Sequence, residues 1–481
     1  MNTAVSYLPT ASTPGNASEA DIRRVFEAQK ATAIRLRTST AAERLAKVTR
    51  LRDAVLAHKE AIRDAAAKDF RKPATEVDLT EILPIVMEAN DARRHLKRWM
   101  KPLRVMPTKM MMGTAGYVRY EPKGRCLIIS PWNYPVNLTF GPLVSCIAAG
   151  NTAILKPSEM TPNLSALMVK ITREIFSEDE VAIFEGDAST STALLDLPFD
   201  HIFFTGSPQI GKVVMAAASK HLTSVTLELG GKSPTIVDES ADLKLAARTV
   251  AWGKFTNNGQ TCIAPDHVYV HSAVKDEFVR LFKDYLTECY GADPQRSPSL
   301  ARVVNERHTQ RVAALLHDAK EKGATVLTGG QVDEKECFVA PTLLADIPAD
   351  AKIMDSEIFG PLLPIITYTN LDEVIGEINK MEKPLALYIF SKTDANIDAV
   401  ISRTSSGGAC INHAVVQFLH GNLPFGGVNN SGIGSGHGEY GFKAFSHERA
   451  VVRTRFMMAR MFFLPHNKWT QKIVDVLMKM V

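Results

Sequence analysis

Short apolar runs, separated by helical or turn-rich stretches, constrain the fold of this chain more than any other feature. Helical patterns lie between the runs at 163–176 and 208–221. Apolar strands that alternate with helices in this way are typical of parallel β-α-β units, in which helices cover both faces of the sheet. The pattern predicts an α/β fold and a place to look for a dinucleotide site. The runs are CLIIS (126–130), TAILK (152–156), VAIFEG (181–186), HIFFTG (201–206) and SVTLEL (224–229).

The rest of the chain has two other textures. Residues 19–103 carry apolar side chains at helical spacing and predict helices, with a helix cap at Ser18. After Gly231 a second α/β pattern begins, with candidate strands in SPTIVDE, HVYVHS, GATVLTGG and PLLPIITYT. The segment 423–441 contains too many glycines for a regular element and predicts a loop. A chain of 481 residues with these textures is expected to form two or three domains.

Composition argues against several classes of protein. The net charge of +4 gives no support for nucleic-acid binding. The six cysteines are scattered without a C-x-x-C pair, so we expect free thiols in a reducing, cytoplasmic setting and no metal site. The polar N-terminus lacks the pattern of a secretory signal, and residues 1–18 are expected to be a disordered lead-in. No apolar run reaches the length of about 18 residues that predicts a membrane-spanning helix.

One of these cysteines has an unusual setting. Cys262 lies in KFTNNGQTCIAP, a polar segment that contains glycine. A structural cysteine usually lies among apolar residues, where it acts as a small hydrophobic side chain. Taken alone, a single cysteine is more often inert than catalytic, so the other motifs must decide its role.

Two motifs that follow predicted strands could hold a dinucleotide. In HIFFTGSPQIGK, Gly206 and Ser207 form a tight entry to a helix that includes Gly211, and the free N–H groups of such a helix can bind a phosphate. An ordinary βα turn fits the same residues. In ILKPSE, Lys156 and Glu159 follow a strand, where they could bind the hydroxyls of a ribose. A solvated ion pair is the simpler interpretation of these two.

Further polar side chains could take part in chemistry. Asn133 in SPWNYP is a candidate oxyanion donor, or a turn residue. Glu228 ends an apolar strand in LELGGK, where burial would raise its pKa and make it a candidate base, unless its carboxylate reaches solvent. In DSEIFGP, Glu357 could hold a ribose and Phe359 could cover a nicotinamide ring, or both could form a plain turn.

Taken together, these motifs resemble the NAD(P)-dependent aldehyde dehydrogenase superfamily. The segments SPWNYP, LKPSE, FTGS, LELGGK, GQTC, EIFGP and LPFGG occur in the order of that family and span about 20–455. Glu228 precedes Cys262 by 262 − 228 = 34 residues, as in the family. The short N-terminal segment, the WNYP sequence and the basic, apolar tail resemble the class 3 and fatty-aldehyde branch. The chain is also similar to bacterial coniferyl aldehyde dehydrogenases of that branch.

The resemblance implies a role for each motif. Cys262 would be the nucleophile, Asn133 and the Cys262 N–H the oxyanion hole, and Glu228 the base that activates water. Lys156 and Glu159 would bind the adenosine ribose. Gly206, Ser207 and Gly211 would meet the pyrophosphate. Glu357 and Phe359 would position the nicotinamide end.

The resemblance also implies an architecture and an assembly. We expect a Rossmann-type cofactor domain with a five-stranded parallel sheet at 19–110 and 123–228, and an α/β catalytic domain at 229–410. A small β oligomerisation arm would begin with an edge strand at 111–122. Its second part, together with the glycine-rich loop, would occupy 411–455. The family suggests a homodimer and NAD as first cofactor, with NADP possible.

The substrate and two rival functions stay open at this point. An apolar aldehyde, either aromatic or aliphatic of medium or long chain, is expected from the branch. A CoA-acylating dehydrogenase and an inactive protein of the same fold are the alternatives. The tail at 456–481 places Trp469, Ile473, Val476, Leu477 and Met480 on one helical face. It could pack on protein, shape the aldehyde entrance or contact a membrane surface.

Overall fold

The computed structural model describes residues 16–108, 111–454, 456 and 463–480. Of the expected disordered lead-in at 1–18, residues 1–15 lie outside the described residues, and 16–18 are ordered, since Asn16 accepts a hydrogen bond of 3.1 Å from the Asp187 N–H. Most of the tail sequence RFMMARMFFL (455–464) also lies outside the described residues. The chain begins with helices that pack on the first sheet, and Ser18 caps the first of them by accepting a hydrogen bond of 3.0 Å from the Asp21 N–H. These helices are α1 (Glu19–Leu36), α2 (Ala41–Ala57), α3 (Lys59–Phe70), α4 (Ala74–Val77) and α5 (Leu83–Trp99), with a π-helical turn at Asp78–Ile82 between the last two.

The first sheet has six strands, and five of them are parallel, as the sequence predicts. Their spatial order is β7-β6-β3-β4-β5, and β17 (Gly432–Ile433) pairs antiparallel with β7 at the edge. Their apolar side chains are buried, because helices cover both faces of the sheet. The parallel strands are β3 (Arg125–Ile129), β4 (Thr152–Lys156), β5 (Val181–Ile183), β6 (His201–Thr205) and β7 (Ser224–Glu228). The helices between them are α6 (Pro135–Ala149), α7 (Pro162–Ile175), α8 (Ala188–Leu195) and α9 (Pro208–Ser219).

The second sheet has seven strands in the order β10-β13-β14-β9-β8-β15-β16. All of its neighbouring strands are parallel except β10 and β13. The strands are β8 (Pro234–Val237), β9 (His267–His271), β10 (Thr325–Thr328), β13 (Thr342–Ala345), β14 (Leu362–Tyr368), β15 (Ala386–Phe390) and β16 (Gly408–Ile411), with a small separate pair β11 (Val332–Asp333) and β12 (Phe338–Val339). The helices are α10 (Leu243–Phe255), α11 (Lys275–Tyr290), α12 (Glu306–Glu321), α13 (Leu371–Lys380) and α14 (Asp394–Arg403).

A third, antiparallel sheet forms an arm from distant parts of the chain. It contains β1 (Leu103–Val105), β2 (Thr114–Pro122) and β18 (Ser446–Thr454), and β2 pairs with β18 along its whole length. The segment 111–122 alternates as an edge strand does, but β2 is the middle strand because β1 also pairs with it. The glycine-rich segment is more regular than predicted, since it contains β17 and the start of α15 (Gly438–Ala444).

In the described part of the C-terminal tail, a helix, α16, extends over Lys468–Met480. Trp469 and Val476 are exposed on it, and Ile473 and Leu477 are half-buried. Within the described residues, no helix is both long enough and apolar enough to cross a membrane.

Candidate active site

Four segments of the site follow the carboxyl ends of neighbouring strands in the first sheet. Glu228 ends β7, Gly206 follows β6, Asn133 follows β3 and Lys156 ends β4. Because these strands are parallel, their carboxyl ends meet at one edge of the sheet, which is where α/β folds bind ligands. The topology therefore brings together residues that are far apart in the sequence.

The loop before Cys262 has a conformation that few residues adopt. After α10, Asn257 and Asn258 have φ values of 52° and 53°, in the left-handed region that asparagine tolerates better than most residues. Gly259 follows with φ 76°, and a Cβ there would collide with the carbonyl oxygen of Gly360. The polar NNG sequence is thus explained by the backbone: the tight turn that presents Cys262 requires residues that adopt positive φ.

Gln260 anchors this turn to its surroundings. Its side chain donates to the carbonyls of Asn257 (2.9 Å) and Arg302 (3.0 Å) and accepts from the Val304 N–H (2.9 Å). Its own carbonyl accepts from the Asn133 side-chain amide at 2.9 Å. Asn133 therefore lies beside the Cys262 turn, and its amide keeps a second N–H for another acceptor.

Glu228 is buried in an apolar environment at the end of β7. Its side chain is 6% exposed, and neither carboxylate oxygen has a partner within hydrogen-bond distance among the described residues. Burial raises the pKa of Glu228 well above its usual range, and the nearby backbone N–H of Gly436 opposes this only in part. A carboxylate in this setting is suited to accept a proton at neutral or higher pH.

Cys262 and Glu228 line the same cavity, which has a volume of about 200 Å³. Its wall is mainly apolar. Burial raises the pKa of the Cys262 thiol, and the carboxyl groups of Glu357 and Glu228 raise it further, so the thiol form is favoured here. The main apolar residues of the wall are Leu79, Leu83, Pro84, Leu138, Trp252, Val415, Val416, Phe418, Leu419 and Phe425.

Two parts of the cavity wall were not singled out from the sequence. Val415 has a φ of 70°, a strained conformation for a β-branched residue. His437, with a φ of 66°, places its ring between Phe418 and Phe425, at centroid distances of 4.7 and 5.3 Å. Its Nδ1 is 3.5 Å from the buried carboxylate of Glu88. Strained backbone does not show in a single sequence, and the only signal for His437 was its position within the glycine-rich segment 423–441.

The ILKPSE motif forms one end of the candidate cofactor site. Lys156 is 3% exposed and donates to the carbonyl of Pro157 at 2.9 Å, and its Nζ is 3.5 Å from Glu159. Burial lowers the pKa of Lys156, and the Glu159 carboxylate opposes that change. Glu159 is half-exposed, so its carboxylate can reach a ligand at the sheet edge.

The glycine-containing turn after β6 is shaped for close approach. Ser207 caps α9, accepting from the Ile210 N–H at 3.4 Å, and leaves other N–H groups of the first turn available to a phosphate. A Cβ on Gly211 would come within 2.7 Å of Leu229, so this glycine lets α9 pack closely on the sheet. Gly206 admits no Cβ without a shift of Phe204. These features fit a dinucleotide at the N-terminus of α9.

The EIFGP segment comes from the second sheet and faces the LELGGK turn. A Cβ on Gly230 would overlap the Glu357 carboxylate, which shows how closely the two segments approach. Burial raises the pKa of Glu357 to about 8. Phe359 has a φ of 44°, and its ring contacts Trp132 edge-on at 5.2 Å. The structure thus brings Glu357, Phe359 and the Cys262 loop to the junction of the two sheets.

No cluster of three or more His, Cys, Asp and Glu side chains is arranged to hold a metal ion in the ranges that the structure covers. All six cysteines are free thiols, as expected.

Known proteins share this sequence and fold. The model of the aldehyde dehydrogenase family matches residues 9–451. AldX of Bacillus subtilis is 50% identical over 90% of this chain and 97% of its own. The 4,4'-diaponeurosporen-aldehyde dehydrogenase of Staphylococcus aureus is 42% identical over 89% of this chain and 93% of its own. Aldehyde dehydrogenase family 3 member B1 of Rattus norvegicus is 41% identical over 92% of this chain and 93% of its own.

A solved structure agrees with these relatives. The substrate-bound state of Staphylococcus aureus AldH superposes with a TM-score of 0.91 and 40% identity, over 95% of this chain and 99% of that one. Family 3 members among the relatives are in keeping with the class 3 branch that the motifs indicated. The chain therefore belongs to the aldehyde dehydrogenase family, whose members are NAD(P)-dependent oxidoreductases that act on aldehydes.

Proposed function

We propose that this enzyme oxidises apolar aldehydes, aromatic or of medium to long aliphatic chain, to carboxylic acids through a thioester on Cys262. The observation that carries the proposal is the shared cavity: the Cys262 thiol and the buried Glu228 carboxylate line the same, mainly apolar cavity. An apolar wall favours substrates that bury hydrocarbon surface. The relative from Staphylococcus aureus is named for the aldehyde that it oxidises, 4,4'-diaponeurosporen-aldehyde.

The chemistry follows from the groups in the cavity. Cys262 first gives its thiol proton to solvent, and the resulting thiolate adds to the aldehyde carbon. The oxygen that becomes negative is stabilised by the free N–H of the Asn133 amide and by the Cys262 N–H. Loss of hydride from the adduct leaves a thioester on Cys262. Glu228 then takes a proton from water, which attacks the thioester and releases the acid and the thiol. Each step balances, because the two electrons leave as the hydride.

A bound NAD or NADP supplies the hydride acceptor. In this proposal Lys156 and Glu159 hold its adenosine ribose, and the first turn of α9 with Gly206 and Ser207 meets the pyrophosphate. Gly211 supports that turn through close packing against Leu229. Glu357 and Phe359 position the nicotinamide end. We infer a preference for NAD, because the half-exposed Glu159 carboxylate repels a 2′-phosphate.

The two alternatives are a CoA-acylating enzyme and an inactive protein of the same fold. A CoA-acylating enzyme would transfer the acyl group of the thioester to a thiol and would need no base for water, so the buried Glu228 favours hydrolysis. An inactive protein would not need Cys262, Asn133 and Glu228 at one site.

A panel that compares a long aliphatic aldehyde, an aromatic propenal and a two-carbon aldehyde tests the proposal. Acid formed without CoA, with the lowest KM for the apolar aldehydes, supports it. Product only with CoA, or a preference for the two-carbon aldehyde, contradicts it.

The oxyanion role of Asn133 gives a direct prediction. Asn133→Ala is expected to lower kcat/KM by about 10²-fold or more, because one preorganised donor to the developing negative charge is lost. The measurement is steady-state kinetics with a small and a bulky aldehyde. A loss below about threefold would assign Asn133 to the turn alone.

The tail is proposed to act at the edge of the site. None of its described residues lines the cavity of its own chain, and half of its apolar face is exposed. We propose that the tail shapes the aldehyde entrance of a second copy, and that a homodimer forms through the three-stranded arm. A peripheral contact with a membrane is the other use of such a helix. A cytoplasmic location is inferred from the six free thiols.

Truncation after Arg455 tests the tail. We expect the truncated enzyme to show a higher KM for long or aromatic aldehydes than the full chain, with little change for a two- or three-carbon aldehyde. Unchanged KM values in a folded truncated enzyme would leave the tail a structural element. Co-sedimentation of the full chain with anionic liposomes, lost on truncation, would support the membrane contact instead.

A further inference from the structure

We infer that Lys72 and Glu81, which do not themselves line the cavity, form a buried ion pair that positions Asn133 for oxyanion binding. The inference rests on the proposed role of Asn133. Lys72 lies between α3 and α4, and Glu81 lies on the π-helical turn before α5. Both side chains are fully buried, and Lys72 Nζ is 2.9 Å from Glu81 Oε1.

The pair holds the main chain at Asn133 and at the start of the helix that follows it. Lys72 Nζ donates to the Asn133 carbonyl at 3.1 Å, and the same carbonyl accepts from the Asn257 side chain at 2.8 Å. Glu81 Oε2 accepts from the N–H groups of Val136 (3.1 Å) and Asn137 (3.0 Å). The carbonyl of Asn133 and the helix that follows it are therefore fixed by one ion pair.

Glu81 also replaces a missing cap. Tyr134 is the N-cap residue of α6 and makes no side-chain hydrogen bond to the first turn. The Glu81 carboxylate satisfies two of the free N–H groups there and lies at the positive end of the helix dipole. Lys72 Nζ also lies 4.5 Å from the centroid of the Tyr134 ring, which fixes the residue between Asn133 and α6.

Burial of this pair is costly, which argues for a use beyond stability. Two charges taken out of water gain little over well-packed apolar side chains of similar size. Here both charges act on the short loop that carries Asn133, and Asn133 in turn bonds to Gln260, two residues before Cys262. The pair therefore sets the distance between the oxyanion donor and the nucleophile.

A matched pair of variants separates positioning from stability. Lys72→Met removes the buried cation at the start of α6. Arg44→Met removes a buried cation at the other end of the same helix, where Arg44 donates to the carbonyls of Ala148 (3.1 Å) and Ala149 (2.7 Å). We expect both variants to unfold at a lower temperature. Only Lys72→Met should lower kcat, by about tenfold or more with little change in KM, because small displacements of catalytic groups are costly. Arg44→Met should stay within about twofold of wild type.

A double-mutant cycle tests whether Lys72 acts through Asn133. In the Asn133→Ala background, Lys72→Met should change kcat by less than about twofold, since the donor it positions is gone. Equal effects of Lys72→Met in both backgrounds, or a normal kcat for Lys72→Met while Asn133→Ala is impaired, would overturn the inference. A normal Asn133→Ala enzyme would refute the oxyanion proposal itself, and this inference with it. If Lys72→Met does not fold, Glu81→Gln takes its place, with the same expected direction and the same cycle.

Discussion

Replacing Cys262 by serine is expected to reduce aldehyde oxidation by about 10³-fold or more while cofactor binding is retained. A serine hydroxyl is far less acidic than a thiol and gives almost no nucleophilic anion near neutral pH. The change replaces the sulfur atom by oxygen and leaves the turn from Asn257 to Gln260 in place. The measurement is the rate of cofactor reduction with a saturating apolar aldehyde, together with a titration of cofactor binding.

A second cysteine provides the matched control. Cys410 lies in the same core as the Cys262 loop, and its thiol donates to the Gln417 side chain at 2.8 Å, a bond that serine can keep. Cys410→Ser is expected to retain activity within a few-fold. Near-normal turnover by Cys262→Ser, or inactivation by an alkylating agent that labels another cysteine, would contradict the assignment.

The pH dependence of the same reaction follows from the environment of Cys262. Burial and two neighbouring carboxyl groups raise the pKa of the thiol, and burial raises the pKa of Glu228. The reactive forms of both groups are the deprotonated ones, and their populations increase with pH. Both kcat/KM, which reports the attack by Cys262, and kcat, which includes the hydrolysis assisted by Glu228, are therefore expected to rise with pH above the ordinary range of a carboxyl group.

Glu228→Gln is expected to separate the two halves of the reaction. The amide cannot accept the proton of water, so hydrolysis of the thioester should slow by about 10²-fold or more. Hydride loss precedes that step and should remain fast. Stopped-flow measurement should show a burst of reduced cofactor close to one equivalent per active site, followed by a slow steady state.

Other outcomes of that experiment would contradict the role of Glu228. A steady-state rate equal to wild type would exclude it as the base. A burst that slows in parallel with the steady state would place Glu228 in the first half-reaction. Glu357→Gln is a suitable comparison, because this second buried carboxyl group is proposed to act on the cofactor and should alter the burst rate instead.

The strands of the first sheet could be predicted from the sequence because each is a continuous apolar run. TAILK coincides with β4, and HIFFTG and SVTLEL differ from β6 and β7 by one residue at the end. In the second sheet β13, β15 and β16 were not identified. LALYIF is an apolar run between polar residues and was overlooked, whereas GGACIN is short and glycine-containing, and its strand β16 is defined by pairing with β15.

The motifs of the candidate site could be predicted from the sequence, but the buried residues that hold these motifs in place could not. Cys262, Glu228 and Asn133 each follow a recognisable strand or turn. Lys72 and Glu81 lie in a helical segment where charged residues usually face solvent, and only the three-dimensional packing shows that both are buried. Likewise, the contact between Glu88 and His437 is seen only in the fold, because the two residues are 437 − 88 = 349 positions apart in the sequence. Contacts of this range leave no local pattern.

The covalent intermediate is the central claim, and it can be observed directly. The Glu228→Gln enzyme is mixed with NAD and an aromatic aldehyde, quenched with acid within the burst, and digested for peptide mass spectrometry. We expect the mass of the acyl group on the peptide that contains Cys262, in an amount equal to the reduced cofactor formed. A burst of reduced cofactor with no acyl group on Cys262, or with the group on another cysteine, would contradict it.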